Sequence, residues 1–140
     1  MGKINWGRVF MSGLVAGIVT FVCGGLITAI WAKDFEAGIT ALGHPYSIPM
    51  SPATILSIFG VNLVLGVSLV WMYAAIRPRY GPGPKTAAIV GLAMWLIMTA
   101  ADVFFMSIGV LPVRTLVAPI AVGLVAYLAA AEAGAWLYKE

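Results

Sequence analysis

An all-α integral membrane bundle of four helices is the fold class this sequence predicts, and three observations predict it. Of its 140 residues, 62% are hydrophobic and only 9% are charged, against roughly 25% charged in soluble domains. The few charges, eight Lys/Arg and five Asp/Glu, cannot cover a globule in water. They fall mostly between four long apolar stretches, and each stretch reaches the ~20 residues that a helix needs to cross a bilayer core about 30 Å thick. None alternates as a membrane barrel strand does, and lipid leaves an unpaired backbone no partner, so helices remain. A soluble domain, a disordered chain and a basic nucleic-acid module are excluded; the net charge of +3 is too small for the last.

Span one is expected over residues 9–32. From Val9 to Ala32 its only ionisable group is the thiol of Cys23, a small packing residue at mid-span. The run exceeds the ~7–15 residues of a signal-peptide core, and no small-x-small site follows it, so it reads as a retained span. Gly13-x-x-x-Gly17 and Ser12-x-x-x-Ala16 give it a flat face for a neighbouring helix.

The connection to span two holds a short helix expected to lie on the outer surface. Asp34 starts it as a cap and Gly43 ends it. Phe35, Ile39 and Leu42 form its apolar face. His44 to Met50 then returns extended. His44, the single histidine, reads either as a solvated loop residue or as an outside ligand for a metal or haem.

Span two is expected over 53–76, with Asn62 as its mid-span polar group. Arg77-Pro78-Arg79-Tyr80-Gly81-Pro82-Gly83-Pro84-Lys85 is expected to end it sharply. Span three is expected over 86–110 and carries Thr99 and Asp102. A tight hairpin from Gly109 to Arg114, containing Pro112, leads to span four over 115–138. That span carries Glu132 and a stripe of Ala126, Ala130 and Gly134, with Ala129 and Ala133 beside it. So small-sided a helix packs either within the bundle or against a neighbouring subunit.

Lys/Arg bias sets sidedness. Lys3, Arg8, Arg77, Arg79, Lys85 and Lys139 lie on the side of the termini, against Lys33 and Arg114 on the other. Both termini are therefore expected in the cytoplasm. Trp6, Trp31, Trp71, Tyr73, Tyr80, Trp136 and Tyr138 fall near span ends, where amphipathic rings prefer the interface. Spans two and four end alike, in Trp71-Met72-Tyr73 and Trp136-Leu137-Tyr138, and spans one and three share Gly13-Leu14 and Gly91-Leu92. This pattern suggests a duplicated helical hairpin.

A charge at membrane depth is by default a functional candidate. Asp102 is expected ~10–12 Å below the outer surface at helical rise, with Asn62 at comparable depth. Asn62, Thr99, Asp102 and Arg114 form one candidate cluster, either an interhelical lock or a site for a proton or ligand. Glu132 is the second candidate, within reach of the interface, Arg77 or Arg8. Arg77, Arg79 and Lys85 read as anchors on anionic headgroups. No cysteine pair, Ser/His/Asp arrangement, phosphate loop or metal-ligand spacing occurs, so no catalytic residue, metal or cofactor is expected. Span one also lacks the acidic residue of small multidrug exporters, and the missing cysteine pairs exclude quinone-linked thiol oxidoreductases.

The segments Asn5-Trp6-x-Arg8, Ser12 to Gly17, Trp71 to Ala87 and Ala133 to Tyr138 together resemble a group of uncharacterised small bacterial four-span membrane proteins. The Arg-Pro-Arg-Tyr-Gly-Pro-Gly-Pro-Lys segment is the most specific part. The resemblance covers most of the chain, implies the fold and a bacterial cytoplasmic (inner) membrane, and implies no activity.

Three functions fit these readings. The first is a non-enzymatic accessory or structural subunit packed against a larger complex or its own copies. The second is a small oligomeric transporter or channel using Asp102. The third is a cofactor or pigment holder using His44 or Trp95, Met98, Phe104, Phe105 and Met106. The expected partners are the lipid bilayer and other membrane subunits or a homo-oligomer, with no nucleic acid.

Overall fold

A computed structural model describes residues 4–43, 50–109 and 113–138, except the side chains of Phe35, Arg114 and Thr115. It contains α1 (Trp6–Ile30), α2 (Ala32–Ala41), α3 (Pro52–Tyr80), α4 (Pro84–Ser107) and α5 (Val113–Leu137). α1, α3, α4 and α5 are long and apolar enough to cross a membrane. The chain is a multi-pass membrane protein with an all-α four-helix bundle.

Local chemistry sets the helix ends. The Asn5 side chain accepts from the Arg8 amide at 3.2 Å and caps α1. The Ser51 hydroxyl accepts from the Thr54 amide at 3.1 Å, and Pro52 occupies the first turn of α3. α1 and α2 are separated by Trp31 alone. Gly43, at φ 77°, follows α2 and donates its N–H to the Thr40 carbonyl.

Three expectations need correction. Asp34 does not cap α2: the helix begins at Ala32, and Asp34 stands in its first turn, where its charge still suits the helix dipole. α3 does not stop at Arg77; it continues through Pro78 to Tyr80. In a last turn the amide missing from proline removes one bond, and the chain closes beyond it. Gly81, at φ 84°, donates to the Arg77 carbonyl at 2.8 Å, and the Thr86 hydroxyl donates to the Gly81 carbonyl. Arg114 belongs to the first turns of α5 rather than to a loop.

The spans run up and down, so both chain ends lie at one end of the bundle, called here the inner end. α1 packs along α3 and α5, and α4 along α5 and α3. α3 touches α5 across the middle, whereas α1 and α4 make no contact among the described residues. The cross-section is a rhombus with α3 and α5 on its short diagonal. This is the pairing that two equivalent hairpins, α1–α3 and α4–α5, would make.

Lipid is as apolar as leucine, so close packing rather than water exclusion holds such helices together. The tightest approach joins α1 to α3. A Cβ placed on Gly66 would overlap the backbones of Gly13 and Gly17. One on Gly17 would meet the Asn62 carbonyl at 2.7 Å. α4 meets α5 in the same way, with Gly91 against the backbone of Tyr127 and Leu128 and the Ala131 methyl. Gly134 of α5 faces Val70 of α3 and Ala16 of α1. The small stripe of α5 is thus used inside the chain: Ala126, Ala130 and Gly134 are buried.

Gly66→Ala should separate α1 from α3 and destabilise the protein by about 1–3 kcal/mol, the usual range for overpacking. Gly60→Ala, whose new methyl meets no atom within 4 Å, is the control and should be neutral. Reversible unfolding in mixed micelles measures both.

Candidate functional site

The two halves of the bundle differ. The inner half holds the core: Val9, Leu69, Val70, Ala74, Val90 and Ala130 are buried there. Tyr73 and Tyr138 close its end. Both were expected at the lipid interface, yet they are 4% and 3% exposed. Their rings meet edge to face, with centroids 6.1 Å apart. The Tyr73 hydroxyl accepts from the Gly83 amide at 3.1 Å, and the Tyr138 hydroxyl accepts a longer bond from the Asn5 amide at 3.4 Å. The Arg77 guanidinium lies 5.7 Å from the Tyr138 ring centre. Trp71 and Trp136, two residues before each tyrosine, are exposed toward lipid instead. In both hairpins the tyrosine faces in and the tryptophan faces out.

The outer half is looser. A cavity of about 180 Å³ lies among all four spans. α1 contributes Thr20 and α3 contributes Asn62; Trp95, Thr99 and Asp102 come from α4, and Tyr127 from α5. Asp102 stands five residues before the end of α4, about 7–8 Å along the helix axis. Three of the four residues expected to cluster, Asn62, Thr99 and Asp102, do face one space. The side chain of Arg114, the fourth, lies outside the described residues, as does all of His44.

An interhelical lock is not formed among the described residues. Asn62 donates to the Ile58 carbonyl of its own helix at 2.9 Å, and the Thr20 hydroxyl donates to the Gly17 carbonyl at 2.9 Å. Only the Trp95 indole reaches across, donating to the Ile120 carbonyl of α5 at 2.8 Å. The polar groups converge without pairing with each other.

Charge reading led to Asp102, Asn62 and Thr99, but it left out Thr20 and Tyr127. Both carried a signal. Thr20 continues the Ser12–Ala16 stripe by four residues. Tyr127 stands at mid-span, away from the interfacial belt where the other tyrosines of the spans were placed.

A second, apolar groove of about 420 Å³ opens between the outer halves of α1 and α3 and the start of α2. Phe21, Gly24, Gly25, Ile55 and Ile58 line it, with Asn62 at one side. Phe21 and Phe59 stack edge to face nearby at 5.1 Å. Gly24 and Asn62 belong to the walls of both spaces.

Glu132 is half-buried on α5 and lines neither space. Arg79 and Lys85 are exposed at the inner end, where headgroups would lie, whereas Arg77 is half-buried against Tyr138. Among the described residues no three His, Cys, Asp or Glu side chains converge as metal ligands would. Compared with family models, curated proteins and solved structures, the chain finds no match.

Trp95→Phe removes the one side-chain bond that crosses the cavity wall among the described residues. The loss should be about 1 kcal/mol of stability, the usual scale for one membrane hydrogen bond. Unfolding of the variant in the same micelles checks it; an unchanged transition would mean that the indole contact contributes nothing.

Proposed function

We propose that the protein binds a small cationic or hydrogen-bonding solute in its outer-half cavity and carries it through the membrane, with Asp102 as the charged contact. One observation carries this reading. Among the described residues, polar side chains from all four spans, a carboxyl group among them, face a common space without bonding to one another. Thr20, Asn62 and Trp95 are bonded to backbone carbonyls, but a carboxyl group at membrane depth costs free energy unless something satisfies it, and a solute supplies what no described side chain gives Asp102. The packed inner half and open outer half correspond to one end state of a carrier that exposes its site to each side in turn.

The accessory-subunit reading rested on the small-sided last span, the minimal loops and the absence of catalytic groupings; of that span's small residues, Ala126, Ala130 and Gly134 are buried inside the chain and Ala129 is exposed. The cofactor-holder reading gains no convergent ligands among the described residues.

Asp102→Asn should weaken binding of guanidinium or tetramethylammonium by at least about tenfold, or 1.4 kcal/mol. Equilibrium binding of radiolabelled cation to nanodisc-embedded protein measures it. Equal affinity in parent and variant would remove Asp102 from the site, and no binding by the parent would remove the reading.

The basic residues on the termini side support a cytoplasmic inner end, and with the bacterial resemblance they support a bacterial inner membrane. A carboxyl-terminal green fluorescent fusion should then fluoresce, while an alkaline phosphatase fusion at the same point should be inactive. The reverse pattern would invert the topology.

A further inference from the structure

We infer that the solute is a cationic amphiphile, its head in the polar cavity at Asp102 and its tail in the apolar groove between α1 and α3. This rests on the reading of the cavity as a binding site and names the class of molecule it takes.

Three observations carry it. First, the two spaces are neighbours: Gly24 and Asn62 stand in the wall of each. Second, their linings differ in kind. Thr28 and Asn62 are the polar side chains of the groove, beside Phe21, Met50, Ile55 and Ile58, whereas the cavity sets Asp102, Thr99, Thr20 and Tyr127 among apolar residues such as Ile27, Met98 and Ile120. A molecule filling both must be apolar at one end and polar at the other, and the carboxyl group in the polar chamber selects a cation over an anion. Third, missing side chains keep the groove open. A Cβ on Gly24 or Gly25 would meet no atom within 4 Å, so alanine or leucine would fit the backbone there and occupy the groove instead.

The groove alone would commit to nothing, because any acyl chain of the bilayer could lie in it. Its shared border with the Asp102 chamber, at Gly24 and Asn62, places a charged head within reach of the occupant. Along α3 the groove runs from Asn62 through Ile58 to Ile55, about 10 Å at helical rise, the reach of a medium-length alkyl chain. Its exposed lining residues, Gly25, Ala29, Ile55 and Ile58, open it toward the lipid. An amphiphile already dissolved in the outer leaflet can therefore enter sideways without leaving the membrane.

The test compares tetramethylammonium with octyltrimethylammonium on protein in phosphatidylcholine nanodiscs, with binding to empty discs subtracted. The longer ligand should bind the parent at least about tenfold tighter. Gly25→Leu and Ile58→Trp, which fill the groove alone, should each abolish that gain. Both should retain tetramethylammonium binding, which also shows that they fold. Asp102→Asn should weaken both ligands, and octyl sulfate should bind far more weakly than the ammonium. Equal affinities of the short and long cations, or a chain-length gain that survives both groove variants, would overturn the tail site and leave the cavity reading standing. Octyl sulfate binding as tightly as the ammonium would overturn the cationic head. Insensitivity of both cations to Asp102→Asn would overturn the cavity reading and the amphiphile with it.

Discussion

The backbone of Gly66 lies directly on the backbones of Gly13 and Gly17, and the rest of the bundle is arranged around that contact. Membrane helices gain nothing by excluding water from one another, so their affinity comes from how closely they approach. Here the approach is closest near the middle of the two helices, at Gly13, Gly17, Leu63 and Gly66. Once α1 and α3 are pinned there, their outer halves need not touch. Gly24, Gly25 and Gly60 on the same two helices have open space where a Cβ would stand. Glycine thus plays two opposite parts along one helix pair. Inside, it removes a side chain so that backbones can meet; outside, it removes a side chain so that a groove can exist.

The second hairpin repeats the device in a weaker form. Gly91 meets Leu128 and Ala131, so a methyl group stands at the α4–α5 contact where the α1–α3 contact has Gly66. The ends of α3 and α5 are then tied by the paired tyrosines, whose hydroxyls take amides from the segments entering α4 and α1. Each tyrosine reaches across to the other hairpin or to the turn beside it, so all four helix ends at the inner side share one network. Arg77 over the Tyr138 ring adds a cation where headgroups would begin. Close backbones, buried rings and satisfied polar ends come together in this half, whereas the outer half holds the two open spaces.

The spans were legible because charge is so scarce in this chain that its positions outline the membrane. The flat face of α1 was legible because Gly13 and Gly17 lie one turn apart. Depth counting also brought Asn62 and Asp102 to one level, and the cavity contains both. Helix faces were less legible. A spanning helix is apolar toward lipid and toward its neighbours, so periodicity does not say which side is inside. Tyr73 and Tyr138 were assigned to the lipid interface for that reason, although near neighbours in sequence, Trp71 and Trp136, are the ones that face lipid. Pro78 misled differently. Proline forbids a helix interior more strongly than a last turn, and the Gly81 amide closes the helix past it. Thr20 and Tyr127 were passed over because depth was counted outward from Asp102 along its own and neighbouring spans, yet a hydroxyl at mid-membrane depth is as informative as a carboxyl group when it faces the same space.

Asn62 is the residue on which the two outer spaces turn. Its amide donates to the Ile58 carbonyl one turn back, which fixes the side chain against its own helix rather than across the bundle. So held, it borders the Asp102 chamber on one side and the apolar groove on the other. A membrane hydrogen bond that joins two helices helps to hold a bundle together. This one instead spends its donor locally and keeps a polar edge at the boundary between the two spaces. A boundary of that kind discriminates by shape and polarity together. On the proposed reading, an alkyl chain passing it would lose little on the groove side, and a head group beyond it would meet the Asp102 carboxyl group. A bare inorganic ion would gain from the chamber and nothing from the groove, and a neutral hydrocarbon the reverse. Only a molecule with both parts draws on both walls.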